Sequence, residues 1–294
     1  MELDKPPFSG SKTPPASQMW FTEYHSPSTG ITFRMKRTLF AGQSPFQRVA
    51  VVETEDFGRM LILDGTVQTT EKDEFVYHEM LVHVPLCAHP RPRRVLVVGG
   101  GDGGCLREVL RHPGVEEATL CEIDAMVVDC CRRFLPAISD GAFDDPRARV
   151  RIEDGVKLVR RSRRAFDVII VDSTDPVAMS SPLTRLSFFR AAREALAPGG
   201  LYAAQSQGPL FEARGMRRIA GAIRKAFPRV DFYLAGVPTY PGGVWSFALA
   251  AAGGKTPAAR PPRPLPPGVE TRYYSAEVHR AAFALPPYVR EIIR

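Results

Sequence analysis

An acidic side chain, Asp102, lies inside a glycine-rich loop in the run VLVVGGGDGG. Gly99, Gly101 and Gly104 have the spacing GxGxxG, which predicts a tight turn from a buried strand into a helix, with backbone N–H groups facing a ligand. A loop that holds a pyrophosphate would not carry a carboxylate, because like charges at close range repel. The loop therefore predicts a nucleoside site for a positively charged ligand, and a sulfonium nucleotide fits it better than NAD.

A second acidic residue, Glu122, ends the predicted strand that follows, about 20 residues beyond the glycine loop. Carboxylates at this spacing hydrogen-bond ribose hydroxyls in Rossmann-like folds. The alternative is an ordinary exposed carboxylate at a strand end. We favour ribose binding because the glycine loop precedes it.

A third group of polar residues, Asp172-Ser173-Thr174-Asp175, follows the apolar run FDVIIV and precedes Pro176. Ligands of open α/β sheets bind at the carboxyl ends of the strands, so this loop should face the glycine loop. The alternative is a helix N-cap cluster, since Ser, Thr and Asp all cap helices. Clustered carboxylates also suit Mg²⁺, but no phosphate-holding motif accompanies them. We predict no metal and a cationic ligand, either a sulfonium or a polyamine.

The composition is that of an ordinary globular protein. The chain has 294 residues, 44% hydrophobic and 24% charged, with a formal net charge of +7 and a pI near 9.3. The arginines are spread without aromatic interleaving, so we expect a solvated surface and no nucleic-acid partner. No apolar run is long enough for a membrane span, and the first residues lack a signal-peptide core, so we expect no membrane partner and a cytoplasmic location. The five cysteines, without a CxxC pair, predict reduced thiols.

The order of apolar patterns predicts an α/β fold with a small β domain in front. Residues 1–17 are rich in Pro and Ser and are expected to be a disordered tail. Alternating patterns and turn residues predict a small antiparallel β domain over 18–80. From residue 81 to 294, strands and helices alternate, which predicts a doubly wound, parallel, Rossmann-like sheet, with a Pro-rich linker at 253–268.

The individual elements follow from the same patterns. Helices are predicted at 73–86, 104–112, 125–134, 155–161, 183–197 and 212–227. Strands of the doubly wound sheet are predicted at 95–98, 118–122, 149–152, 166–171, 200–204, 230–234 and 244–250. The last apolar stretch, 273–293, is expected to pack back onto the body of the protein.

Several longer motifs occur in an order that resembles the polyamine aminopropyltransferases, specifically bacterial spermidine synthases. They are LDGTVQTTEKDEFVYHEML, VGGGDGGCLREVLRH, EID, DDPR, EDG, DSTDP, PTYPGG and RYYSAEVHRAAFALP. The resemblance runs from Trp20 nearly to the C-terminus. It implies a methyltransferase-like Rossmann domain behind the β domain, and a homodimer or homotetramer. It also implies transfer of an aminopropyl group from decarboxylated S-adenosylmethionine to putrescine, giving spermidine and methylthioadenosine, with no prosthetic group.

The resemblance also implies a role for individual residues. Asp172 corresponds to the proton acceptor, Glu122 to the ribose ligand and Asp154 to the adenine ligand, while Asp102 meets the amine of the aminopropyl arm. The remaining nucleoside-binding residues that it implies are Gln47, Gly99, Gly101, Gly155 and Met179. The polyamine-binding residues that it implies are Tyr77, His78, Ser173, Thr174, Asp175 and Tyr240.

The segment after Asp175 departs from the family pattern. Ala178 and Met179 stand where the family has Gly-Pro, and Thr184 stands where Phe is expected. We expect residues 177–184 to be mobile without ligand and to close over the bound donor.

Three alternatives stay open for the function: an aminopropyltransferase with another acceptor, such as cadaverine or spermidine, a methyltransferase that uses intact S-adenosylmethionine, and a nucleoside-binding module without catalysis.

Overall fold

The N-terminal part of the protein is a five-stranded antiparallel sheet. The computed structural model describes residues 19–174, 180–253 and 263–294. The strands follow one another in chain order, and each pairs with the next. They are β1 (Met19–Ser26), β2 (Thr29–Gln43), β3 (Arg48–Thr54), β4 (Arg59–Leu63) and β5 (Thr66–Thr70). The small antiparallel domain predicted from the sequence is confirmed.

The second sheet has seven strands in the order β11-β12-β10-β9-β6-β7-β8. They are β6 (Arg94–Gly99), β7 (Glu117–Glu122), β8 (Ala148–Ile152), β9 (Phe166–Asp172), β10 (Leu196–Gln205), β11 (Arg229–Gly236) and β12 (Val244–Ala251). β12 is antiparallel to both neighbours, so the sheet is mixed where the sequence pattern predicted a parallel one. An apolar run in the sequence does not indicate whether a strand is parallel or antiparallel to its neighbours. The short connection between β11 and β12, residues 236–244, forms a hairpin, so β12 returns alongside β11.

The helices cover both faces of this sheet. They are α1 (Glu74–Ala88), α2 (Gly104–Leu110), α3 (Ala125–Phe134), α4 (Pro136–Ser139), α5 (Gly155–Arg161), α6 (Leu186–Ala195), α7 (Ala213–Ala226), α8 (Ala276–Ala282) and α9 (Pro287–Ile292). α3 and α5 have the predicted bounds. The single helix predicted over 183–197 is instead a 3₁₀ turn, Ser181–Thr184, then α6, and then a strand from Leu196.

α1 follows the first sheet and packs into the second, so it carries side chains from one domain to the other. Every residue of this helix except Phe75 is buried. It packs against α2, β9, β10 and β11. The predicted domain boundary at residue 80 falls inside α1, and we propose instead a boundary at 71–73, between β5 and α1.

The cysteines and the C-terminal segment also behave as the sequence predicted. All five cysteines are buried and none forms a disulfide. In the C-terminal segment Val289, Ile292 and Ile293 join the core on one side of the mixed sheet. The predicted disordered tail at 1–17 lies outside the described residues, as does most of the predicted linker.

Candidate active site

The carboxyl ends of the central strands form one edge of a cavity. β6 is the strand at which the sheet order reverses, with β7 and β8 on one side and β9 on the other. Its last residue, Gly99, pairs with Asp172 at the end of β9, while Glu122 at the end of β7 pairs with Ile152. Ligands of open α/β sheets bind at such a reversal point. The strand pairing thus brings the predicted glycine loop and acidic residues to one place.

The backbone at this edge is packed too closely for side chains. Gly99 has φ +81°, and a Cβ there would lie 2.0 Å from the carbonyl oxygen of Asp172. The Gly100 N–H donates to the same oxygen at 2.8 Å. A Cβ on Gly101 would lie 3.1 Å from Glu122, and one on Gly155 would lie 2.5 Å from Val98. These glycines hold the strand ends together and leave the cavity open to a ligand.

Asp102 and Asp172 line one end of the cavity, the acidic end. Asp172 is partly buried there and is hydrogen-bonded. The Tyr77 hydroxyl donates to its Oδ1 at 2.9 Å. Burial, followed by the charge of Asp102, raises the pKa of Asp172 above its usual value, although His78, Cys105 and Tyr77 partly oppose the rise. A carboxylate whose pKa is raised in this way is a better proton acceptor.

Asp102 differs from Asp172 because it faces a cation. Its Oδ1 accepts the Gly104 N–H at 2.9 Å, and its Oδ2 lies 3.4 Å from Nε2 of His78. Burial opposes ionisation of Asp102, but His78 and the Gly104 N–H outweigh it and lower its pKa. The pKa of His78 is lowered by burial and raised more by Asp102 and Glu74, and ends well above 6.5. The pair is therefore an imidazolium beside a carboxylate.

At the other end of the cavity, Glu122 is buried, and no cationic side chain among the described residues pairs with it. Its Oε1 accepts the Asp124 N–H at 3.0 Å. Burial is the main reason that its pKa is raised to about 7, and the backbone hydrogen bonds oppose this only in part. Asp124 in turn accepts hydrogen bonds from Ser44 Oγ at 2.7 Å and Gln47 Nε2 at 2.9 Å. Gln47 thus joins the first sheet to the end of β7, where it lines the cavity.

Asp154 and Gly155 also line the cavity. The Asp154 carboxylate caps α5 by accepting the N–H groups of Val156 at 2.8 Å and Lys157 at 3.3 Å. Both capping hydrogen bonds use Oδ1 of Asp154. The other carboxylate oxygen, Oδ2, can therefore contact a nucleoside while the side chain caps the helix.

Polar groups from both sheets complete the cavity wall. The Tyr240 hydroxyl donates to the backbone carbonyl of Gln68 at 2.7 Å. Gln205 Nε2 donates to the Ser173 carbonyl at 3.1 Å, which fixes the chain just after β9. Ser173 and Thr174 line the cavity together with Tyr77 and Tyr240. The side chains that the sequence assigned to one site therefore come together wherever they are described.

Two predicted site residues, Asp175 and Met179, lie outside the described residues, and so does the first part of the segment expected to close over the donor, residues 177–179. Ser180 is buried, and the 3₁₀ turn Ser181–Thr184 follows it.

Sequence reasoning missed several polar residues around the site. The side chains absent from the prediction are Glu74, Arg107, Cys105, Asp124, Gln68 and Gln205. Glu74 lies four residues before His78 on α1, a spacing that places the two side chains on one helix face and could have indicated the pair. The Arg107 contact crosses between two helices, and no local pattern could have found it.

One group of side chains has the composition of a metal site. Among the described residues, atoms of His78, Cys105 and Asp172 lie within 4.8 Å of one another. Hydrogen bonds account for the cluster, because Cys105 and Tyr77 both donate to Asp172 and His78 contacts Glu74. Burial also raises the pKa of the Cys105 thiol well above its usual value, which disfavours the thiolate that metals prefer.

The fold and the cavity define an α/β protein with a nucleoside-type cleft, in which Asp102 and Asp172 form the acidic end. Residues 74–257 match the spermine/spermidine synthase domain, and residues 19–71 match the spermidine synthase tetramerisation domain. The chain belongs to the spermine/spermidine synthase family. Its class is therefore that of aminopropyltransferases of polyamine biosynthesis, with an N-terminal oligomerisation domain.

Relatives and solved structures agree with this family over nearly the whole chain. The polyamine aminopropyltransferase of Moorella thermoacetica is 47% identical, covering 94% of this chain and 96% of the relative. The polyamine aminopropyltransferase of Bacillus subtilis is 43% identical, covering 95% of this chain and 100% of the relative. A spermidine synthase in complex with the transition-state analogue AdoDATO superposes with a TM-score of 0.91, at 41% identity over 97% and 98% of the two chains. The spermidine synthase of Thermotoga maritima superposes with a TM-score of 0.89, at 41% identity over 97% of both chains.

Among the described residues, no helix has the length and apolar character that crossing a membrane requires.

Proposed function

We propose that the protein is a spermidine synthase, which transfers the aminopropyl group of decarboxylated S-adenosylmethionine to putrescine. The observation that carries the proposal is a pair of neighbouring carboxylates at the glycine loop, the buried Asp102 and the partly buried Asp172, whose pKa values shift in opposite directions. One carboxylate that stays ionised and another that takes up protons are what a cationic donor and an amine nucleophile require.

Asp102 is the residue that selects the donor in this proposal. Its ionised carboxylate, at the mouth of the glycine loop, attracts the terminal ammonium of the aminopropyl arm. Intact S-adenosylmethionine carries an additional carboxylate at that end, which Asp102 would repel. We therefore expect decarboxylated S-adenosylmethionine to bind much more tightly than S-adenosylmethionine. This preference separates the proposal from the methyltransferase alternative.

The nucleoside lies along the other end of the cavity. Glu122 accepts hydrogen bonds from the ribose hydroxyls, and Asp154 lies at the adenine. Gln47 is a further nucleoside ligand, and Gly99, Gly101 and Gly155 leave room for the backbone to approach. Met179 is the remaining nucleoside contact. The support for this arrangement is that the described members of the group line one cavity at the carboxyl ends of β6, β7 and β8.

The reaction needs alignment and a proton acceptor. The putrescine nitrogen attacks the carbon bonded to sulfur, a C–N bond forms, and the C–S electron pair returns to sulfur as a neutral thioether. Asp172 accepts the proton that the nitrogen loses, because the reacting amine has an ordinary pKa near 10.4 and must be deprotonated to react. Asp175 anchors the distal ammonium, and Tyr77, His78, Ser173, Thr174 and Tyr240 line the acceptor channel.

The test is an assay of the purified protein with decarboxylated S-adenosylmethionine and a panel of amines. We expect methylthioadenosine to form fastest with putrescine, with slower turnover for cadaverine and spermidine. Faster turnover with another amine would reassign the acceptor within the same family. Methyl transfer from S-adenosylmethionine, or no product with any amine, would overturn the proposal.

The family match of the N-terminal sheet supports a proposal for the oligomeric state. We propose a homotetramer assembled through residues 19–71, the part that matches a tetramerisation domain. Trp20 and Tyr24 on β1 are exposed, at 51% and 74%, and would become buried on assembly. Light scattering of the intact protein tests this, and a dimer or monomer at micromolar concentration would contradict it.

A further inference from the structure

A chain of alternating charges runs from the side chain of Arg107 on α2 to the carboxylate of Asp102. Its members are Arg107, Glu74, His78 and Asp102, and all but Asp102 lie outside the glycine loop. We propose that Arg107 is a positioning residue for the donor's ammonium pocket, acting through Glu74 and His78 to hold the Asp102 carboxylate in place. The proposal rests on the proposed function, because the donor's ammonium provides the readout.

The first link is a forked contact between Arg107 and Glu74. Nη1 of Arg107 lies 3.1 Å from Oε1 of Glu74, and Nη2 lies 2.9 Å from Oε2. Such two-point pairs fix orientation as well as charge. The Arg107 side chain is only 12% exposed, so solvent screens the pair weakly. Glu74 is thereby held ionised in one rotamer.

The second link sets the orientation of the imidazole ring. Oε2 of Glu74 lies 2.5 Å from Nδ1 of His78, which leaves Nε2–H pointing to Asp102. The ring also lies against α2, because a Cβ on Gly104 would be 2.3 Å from it. A ring held at one nitrogen by a carboxylate and at one face by backbone has a single orientation. The Gly104 N–H contacts the same Asp102 carboxylate from the other side.

The third link leaves Asp102 with room for a ligand. A carboxylate offers about four acceptor positions, of which the Gly104 N–H and the His78 imidazolium take two. The remaining positions can accept an ammonium. Without a fixed His78, the buried Asp102 would lose the cation that keeps it ionised and the contact that aims it.

The experiment compares the affinities of decarboxylated S-adenosylmethionine and methylthioadenosine, measured by calorimetry on the full-length protein. The two ligands share the nucleoside, and only the donor carries the aminopropyl arm with its ammonium and the positive charge on sulfur. Their affinity ratio therefore reports the interactions of this cationic part, and a change in the ratio between variants reports a change there. Arg107→Gln should lower this ratio about tenfold, the effect of one hydrogen bond to a charged group, with methylthioadenosine affinity within about twofold of wild type.

Arg111→Gln is the matched control. Arg111 lies one helical turn after Arg107 and contacts Glu108, as Arg107 also does, but its described contacts do not include Glu74. Loss of either arginine removes a cation from Glu108, whereas only Arg107→Gln breaks the chain to Asp102. The ratio should stay at the wild-type value in Arg111→Gln. In the double variant Arg107→Gln/Asp102→Asn the two effects should not add, because both act on one pocket.

Other results would overturn the assignment. A purely structural role would lower thermal stability and both affinities together, which leaves the ratio unchanged. If Arg107→Gln does not fold, Arg107→Lys keeps the charge without the fork, and an unchanged ratio in that variant overturns the proposal equally. A wild-type protein that binds the two nucleosides equally would overturn the donor assignment itself, and with it this role of Arg107.

Discussion

The two ends of the cavity contain buried carboxylates with different neighbours. At the acidic end Asp102 faces an imidazolium, and its pKa is lowered. At the other end, the nucleoside end of the proposed function, Glu122 accepts a backbone N–H, and its pKa is raised to about 7. Both side chains are equally buried, at 8% exposure. The difference therefore comes from the charge of the partner.

Asp172 belongs to the acidic end but behaves like Glu122. It lies beside Asp102, and its pKa is raised first by burial and then by that neighbouring charge. The imidazolium of His78 thus supports one ionised carboxylate, Asp102, and in the proposed mechanism the adjacent carboxylate, Asp172, is the proton acceptor. Two acids with opposite pKa shifts in one site are typical of acid–base chemistry. The comparison predicts four effects of decreasing size.

The largest effect should come from Asp172→Asn. The amide keeps the shape but cannot accept a proton from the attacking amine, so kcat should fall about 10²–10⁴-fold. Methylthioadenosine affinity, which depends on the nucleoside end, should stay within about twofold of wild type. Asp144→Asn, on an exposed surface pair with Arg132, is the control and should keep full turnover. Near-normal kcat in Asp172→Asn would remove Asp172 from its role.

Asp102→Asn should produce the next largest effect, on donor binding. Loss of a buried charge partner should weaken decarboxylated S-adenosylmethionine binding about 100-fold. Methylthioadenosine lacks the ammonium and should bind nearly as well as it binds to the wild type. Calorimetry with both ligands checks this, and an equal loss for both would show that Asp102 supports the loop and does not contact the ammonium.

The nucleoside end should show a pH dependence that the acidic end does not share. In the empty protein Glu122 has a pKa of about 7, and ribose hydroxyls that donate to its ionised form would lower that value. Binding then releases a proton, so methylthioadenosine affinity should increase about tenfold from pH 6 to pH 8. Glu122→Gln should remove most of this pH dependence. A flat pH profile in the wild type would contradict ribose binding by Glu122.

The smallest effect should come from Tyr77→Phe. The Tyr77 hydroxyl donates to Asp172 and favours its ionised form. Without it the pKa of Asp172 increases further, so the acid limb of the kcat profile moves to higher pH, and kcat measured on that limb falls about fivefold. Tyr240→Phe, which removes a hydroxyl that donates to the Gln68 carbonyl, should leave the acid limb in its wild-type position. A shift of the same size in both variants would indicate a general effect on the cavity.

Much of the framework could be predicted from local patterns. α3 and α5 have the predicted bounds because each begins at an acidic N-cap, Asp124 and Asp154, and is followed by a helical apolar pattern. The direction of β12 could not be predicted, because an apolar strand carries no signal of its orientation. The start of α6 was missed for a similar reason, since the residues of the 3₁₀ turn also fit a helical pattern.

The sequence by itself determined which residue types stand at the ends of the strands: glycines, Asp102, Glu122 and Asp172. Strand ends are defined by local apolar runs, and parallel pairing brings them to one edge. The tertiary structure alone decided the charge state of each carboxylate. Arg107 and Glu74 are 33 residues apart and meet only because α1 packs against α2. Burial and the charge of a neighbour set a pKa, and both exist only once the chain has folded.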